Sequence, residues 1–168
     1  MRNKSLYIIL LSILTLSSCK YNLSFSGINI AKNIKTFEIG FISNNAPIIV
    51  PGLGEDFRNQ LIDRIGQQTN LTQEKSGGDL VFNLEITDYV IAPKALTANE
   101  TASQNRLTIK IKLDYVNAKN EKDDFRKTYS YFYDFSATQS ISSIRDEAHK
   151  VIFEHVLDDI FNDTLAKW

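Results

Sequence analysis

The chain of 168 residues reads as an α+β protein: a two-layer sandwich with a four-stranded mixed sheet and two helices on one face. Three observations predict it. Residues 106–116, "RLTIKIKLDYV", alternate strictly, with Leu107, Ile109, Ile111, Leu113 and Tyr115 against Thr108, Lys110, Lys112 and Asp114, the period of a strand buried on one side. Two segments carry helical apolar stripes instead, 53–69 and 140–168. Strand-like runs and helical runs follow in the order β-α-β-β-β-α, which suits helices gathered on one side of a sheet.

Each element has its own grounds. "IKTFEIGFI" (34–42) sets Phe37, Ile39 and Phe41 against Thr36, Glu38 and Gly40, and so predicts the first strand. "SNNAPIIVPG" (43–52), with two prolines and an Asn pair, predicts a loop. "LGEDFRNQLIDRIGQQT" (53–69) lines up Leu53, Phe57, Leu61, Ile62 and Ile65 on one helical stripe. "EKSGGD" (74–79) is a turn. In "LVFNLEITDYVIA" (80–92), Leu80, Phe82, Leu84 and Ile86 share a face, after which the apolar phase slips to Tyr89 and Ile91. That slip predicts a bulge near Thr87 and Asp88. "KALTANETASQN" (94–105) is a polar loop, and "NAKNEKDD" (117–124) a solvated turn. "FRKTYSYFYDF" (125–135) places Tyr129, Tyr131, Tyr133 and Phe135 together. The last helix, capped at Ser140 or Ser142, has apolar residues on more than one stripe and ends at Trp168; its length predicts an end that overhangs the sheet. Three consecutive strands after the first helix suit an antiparallel meander. A helical crossover would lay the first strand parallel to a neighbour.

The start of the chain has a different character. Arg2 and Lys4 precede an apolar core of 11 residues, Leu6 to Leu16, well short of the ~20 needed to span a bilayer. A charged start, a short apolar core and small residues describe a secretory signal. It ends on "LSSC", and Cys19 is the only cysteine. Leu16, Ser17, Ser18 and Cys19 resemble the lipobox of bacterial lipoproteins, whose cysteine takes a diacylglyceryl thioether and, after cleavage, an acylated amine. The expected organisation is a signal peptide at 1–18, a lipidated terminus and linker at 19–33, and one domain at 34–168. Several acyl chains anchor a protein almost irreversibly, at about 0.8 kcal/mol per buried methylene.

Without the signal, 17 Lys and Arg stand against 20 Asp and Glu, so the charge balance argues against a nucleic-acid binder. With its one cysteine lipidated, the chain has no disulfide or thiolate metal site. His149 and His155 are six apart on one helix and point in different directions, so they share no metal. There is no nucleophile elbow, phosphate loop or Cys–His pair. Adjacent carboxylates such as Asp123-Asp124 and Asp158-Asp159 suit solvated surfaces. The expectation is a protein without enzymatic activity, metal or cofactor other than its covalent lipid. One cluster points to a ligand. Arg106, Lys110 and Lys112 lie on one strand face, and Arg126 begins the next strand. Across a hairpin they could gather on phosphate, guanidinium as a fork and ammonium as a point charge; the other reading is a solvated face with blunted edges.

"SNNAP", "QQTNL", "GDLVFNLEITDY", "ALTANETASQNRLTI", "YDFSATQSI" and "DDIFNDTLAKW" together resemble the Bacteroidetes-type branch of the LptE family of lipopolysaccharide-assembly lipoproteins. The resemblance covers most of the chain, with "NRLTI" (105–109) and "DDIFN" (158–162) its most specific pieces. It implies an outer-membrane lipoprotein facing the periplasm. It also implies a role in plugging and assembling the LptD-type β-barrel translocon and in helping lipopolysaccharide to be inserted. Lys20 after the lipid cysteine, in place of Asp, is compatible with outer-membrane sorting. In loop 94–105, long for a connection between paired strands, Ala98, Thr101 and Asn105 are the expected barrel contacts; the other reading is a floppy turn. The alternative is a stand-alone periplasmic lipid carrier or transport-auxiliary lipoprotein, which needs a closed apolar cavity. A third reading is an envelope hydrolase built on scattered carboxylates.

Overall fold

The computed structural model describes residues 30–94 and 103–166. The lipobox with Cys19, the loop residues Ala98 and Thr101, and Trp168 lie outside them. The element order is β1 (Thr36–Ile39), β2 (Ser43–Asn44), α1 (Leu53–Gln68), β3 (Thr72–Glu74), β4 (Leu80–Pro93), β5 (Gln104–Asn117), a 3-10 turn (Glu121–Asp123), β6 (Phe125–Ser136) and α2 (Ile141–Thr164).

The two-layer α+β class holds, but the sheet has six strands where four were expected. Its order is β3-β1-β4-β5-β6, with β2 also paired to β4. β4, β5 and β6 form the expected antiparallel meander. β1 lies parallel to β4, as the helical crossover requires, and parallel to β3 on its other side. The two extra strands escaped periodicity for different reasons. All three residues of β3 are exposed, so it has no buried face to alternate against; backbone pairing holds it, with Thr72 N–H donating to Lys35 O at 2.9 Å. β2 lies within the Asn- and Pro-rich segment read as a loop. It continues β1 along the same edge of β4 after an irregular step. Ile39 pairs with Phe82 and Ser43 with Glu85, so β1 and β2 use one more residue than β4 does. That extra residue breaks the alternation: Phe41, expected inside, is 81% exposed, and Ile42 is buried in its place.

The predicted bulge in β4 is present. The register shifts between Ile86, opposite Ile111, and Asp88, opposite Lys110. The shift turns Tyr89 inward, where it is buried. On β5 the five predicted residues, Leu107 to Tyr115, are buried. Both helices cover this face. Phe57 of α1 meets Phe153 of α2 edge-on at 5.0 Å between ring centroids. His149 of α2 stands over Tyr89 of β4, and His155 over Tyr131 of β6. The α1 stripe holds at Leu53, Phe57, Leu61 and Ile65, while Ile62 is only half-buried.

α2 corrects a further expectation. At about 1.5 Å per residue its 24 residues span about 36 Å, whereas β4 and β5, of 14 residues each, span about 46 Å at 3.3 Å per residue. The helix does not overhang: Ile160, Phe161, Thr164 and Leu165 are all buried. Ser140 occupies the N-cap position, but its hydroxyl makes no cap bond to the helix backbone.

Two contacts seat β1 beside β4. Asp79 accepts from Lys35 N–H at 2.8 Å and Thr36 N–H at 3.2 Å and pairs with Lys119 at 2.9 Å. The Lys119 ammonium and those backbone donors pull its carboxyl down to about 2. Gly78 passes so close to β1 that a Cβ there would stand 2.7 Å from Glu38 N.

Candidate functional site

The helices leave the other face of the meander open, and the pleat puts the even-numbered residues of β5 on it. Cross-strand register arranges this face in rows. Arg106 lies between Ala92 and Asp134, Thr108 between Val90 and Phe132, Lys110 between Asp88 and Ser130, and Lys112 between Glu85 and Thr128. Asp114 lies between Asn83 and Arg126. The four predicted cations, Arg106, Lys110, Lys112 and Arg126, are therefore on one face, in adjoining rows.

Each of them already has a carboxylate partner. Arg106 forms a fork on Asp134, Nε to Oδ1 at 2.6 Å and Nη2 to Oδ2 at 2.9 Å, and its guanidinium lies 3.5 Å over the Phe132 ring centroid. Lys94 joins the same carboxylate at 3.4 Å. Arg106 foremost, then Lys94, hold the Asp134 carboxyl below the usual range. Lys110 pairs with Asp88 at 3.7 Å, Lys112 with Glu85 at 3.4 Å and Arg126 with Asp114 at 2.8 Å. Asn45 donates to Glu85 at 2.7 Å, and its amide, more than Lys112, lowers that carboxyl's pKa. The result is a mixed-charge ladder with alternating signs across the strands. Such a surface resists strand-to-strand aggregation and presents both charge signs to a partner.

Sequence reasoning found the cations and missed their partners Asp88, Glu85 and Asp134. Strand register makes these pairs: counting outward from the 117–124 turn would have found Asp134, whereas Asp88 and Glu85 lie across the 94–105 connection, with Glu85 beyond the β4 bulge. It also missed the apolar spots on the open face. Val90 is 38% exposed and Phe132 41%, and they flank Thr108 in one row. Phe41, turned out by the step between β1 and β2, borders a depression of about 530 Å³ with Ser43, Asn83, Glu85, Lys112 and Arg126.

Loop 94–105 is shorter than expected. Lys94 N–H donates to Gln104 O at 2.9 Å, so the β4–β5 ladder continues to that pair. Asn105 thus belongs to strand β5, between Pro93 and Phe135, with the parity of the helix-covered face.

The two histidines stand apart. His149 shares a 3.1 Å hydrogen bond with Tyr89 OH and stacks on Phe153; burial pushes its pKa down. His155 stacks on Tyr131 with centroids 3.9 Å apart. Among the described residues no group of three His, Cys, Asp or Glu could hold a metal ion, and no helix is long and apolar enough to cross a membrane.

Solved structures share this architecture. A hypothetical protein from Chlamydia trachomatis superposes with a TM-score of 0.53 at 10% identity, covering 80% of this chain and 99% of that one. A protein from Xanthomonas campestris does so with a TM-score of 0.51 at 9% identity, covering 79% and 85%. At these identities the likeness is one of fold. No curated protein matches the sequence. A family profile does: the LptE profile, described as lipopolysaccharide assembly, matches residues 34–164, from just before β1 to the last residue of α2. The chain belongs to the LptE lipopolysaccharide-assembly family.

Proposed function

We propose that the protein is an outer-membrane lipoprotein, anchored at Cys19 on the periplasmic side, that plugs and helps to assemble an LptD-type β-barrel and assists lipopolysaccharide insertion. The observation that carries this reading, beyond the family, is the open sheet face. A plug in a hydrated barrel lumen needs a broad, rigid, polar surface of both charge signs with a few apolar contact points. The rows from Arg106 to Asp114, with Val90 and Phe132 among them, have that character. A stand-alone lipid carrier needs a closed apolar cavity instead. Here the apolar side chains between sheet and helices form one packed cluster. The protein then acts by binding and positioning, without catalysis.

Within this reading Arg106, Lys110, Lys112 and Arg126 are the contacts for lipopolysaccharide phosphates, which would have to displace Asp134, Asp88, Glu85 and Asp114. The Lys110→Glu, Lys112→Glu pair tests that competition: phosphate contacts predict weaker lipopolysaccharide binding with a shallower salt dependence. Ala98 and Thr101 in the β4–β5 loop are the proposed contacts to the barrel, with Asn105, at the start of β5, beside them.

The deciding experiment is affinity purification of the full-length chain from outer membranes. The expected result is a β-barrel protein in near-stoichiometric amount and a mature N-terminal peptide whose mass shows an acylated Cys19. Recovery of an acylated chain with no barrel overturns the plug. Cleavage elsewhere or an unmodified Cys19 overturns the anchor.

A further inference from the structure

The two edges of the sheet differ in a way that points to a second interaction surface. β3, at one edge, is three residues long. At the other edge β6 runs for 12 residues without a proline and without a register shift against β5. Ala137 N–H donates to Ser103 O at 3.1 Å, which extends the same ladder and shows that odd-numbered residues of β6 direct their backbone groups to β5. The even-numbered ones, Arg126, Thr128, Ser130, Phe132 and Asp134, turn theirs outward. Ser136, next in that series, donates its N–H to Gln139 Oε1 at 3.2 Å, the direction this parity requires. Among the described residues no strand lies beyond β6. Of the devices that ordinarily blunt such an edge, β6 lacks prolines, bulges and short length and carries charge at Arg126, Lys127 and Asp134.

A rail of carboxylates overlooks this edge. Glu147, Asp159 and Asp163 are spaced along one side of α2 in multiples of four. Asp163 accepts from Tyr129 OH at 2.8 Å and from Lys127 Nζ at 2.5 Å, and burial, together with the Glu147 carboxylate, pushes the Tyr133 hydroxyl's pKa up. Asp159 acts on Tyr129 through its charge. An added strand would lie about 4.8 Å from β6 and carry alternate side chains on the α2 side, about 7 Å apart. We infer that the β6 edge takes up an extended segment of another protein as a further strand, with lysine or arginine at alternate positions facing the α2 carboxylates. Backbone bonds to residues 126–134 would supply the affinity, and the carboxylate rail the selectivity.

A second copy of this chain does not fit. Two-fold pairing of β6 with β6 would set the strands about 4.8 Å apart with both α2 helices on the same side. α2 stands over β6 through the Tyr131–His155 and Tyr129–Asp163 contacts, and packed helices need 8–10 Å between axes.

The probe is a short synthetic peptide of alternating valine and lysine, long enough to cover 126–134, added to the full-length chain in detergent. The readout is residue-resolved amide hydrogen exchange. The expected result is exchange slowed roughly tenfold or more at Thr128, Ser130 and Phe132, with Tyr129 and Tyr131 unchanged. The glutamate analogue of the peptide and a backbone N-methylated lysine peptide should give no slowing. Ser130→Pro, which removes an outward N–H and leaves the ladder to β5 intact, should abolish it. Unchanged exchange at Ser130 at the highest soluble peptide concentration overturns the inference. So does equal protection by the glutamate peptide, or protection that grows with protein concentration alone. The N-methylated control keeps the test decisive if Ser130→Pro fails to fold.

Discussion

The two faces of β5 share a backbone and differ in almost everything else. On one, Leu107, Ile109, Ile111 and Leu113 have no accessible surface. On the other, Thr108, Lys110, Lys112 and Asp114 remain in contact with solvent, and the charged ones pair across strands. Complete burial of a branched aliphatic side chain stabilises by about 1.5–3 kcal/mol, whereas an exposed ion pair contributes about 0–1 kcal/mol. The fold is therefore secured from one side. The charge ladder has little part in stability, which leaves it free to meet a partner.

The largest expected effect comes from breaking the dry side. Ile109→Ala should lower the free energy of unfolding by about 3 kcal/mol, read as a reduced midpoint in urea. Thr108→Ala, one residue away on the open face, should change it by less than about 0.5 kcal/mol. Equal losses at the two positions would erase the distinction between the faces.

One polar point on the helix-covered side, His149, sharpens the comparison. His149 is held neutral by burial, bonded to Tyr89 and near Arg145, which disfavours its charge; Asp146 and the α1 residue Asp56 act the other way. A histidine whose folded pKa lies below its ordinary 6.5 is protonated more readily when unfolded, so stability should fall as pH drops through about 6.5 and level off below the folded value. His149→Phe keeps the stacking on Phe153, loses about 1 kcal/mol at pH 7 with the hydrogen bond, and should flatten the thermal midpoint between pH 7 and 5. A slope unchanged in the variant would assign the effect to another group.

The smallest effects belong to the ladder. Lys110→Ala and Lys112→Ala should each shift stability by less than about 1 kcal/mol, and the shift should shrink further in high salt. A loss of several kcal/mol from either would mean that the open face stabilises the fold after all.

How far these features could be read from sequence follows from the same contrast. Wherever a buried face imposed a period, as along β5, in the α1 stripe or at the phase slip before Tyr89, the residues declared the structure. β3 has no buried residue and left no mark. Phe41 was misread because the extra residue between Ile39 and Ser43 reverses which side faces the core, and local composition does not show that step. The cations of the site were visible as types at a spacing, but their carboxylate partners depend on hairpin register, and the free edge of β6 on topology. Overhang of α2 was inferred by comparing the helix with strands imagined too short; extending β4 and β5 to 14 residues each removes it.

The central claim is that the open face is the docking face. Its most direct test is a photo-crosslinking amino acid placed at Thr108, between Val90 and Phe132, in the full-length chain within intact cells. Glu154, exposed on α2, serves as the comparison position. The account predicts that Thr108 captures a β-barrel protein, identified by mass spectrometry, with a yield well above that from Glu154. Silence at Thr108 together with capture of the barrel from Glu154 would contradict it.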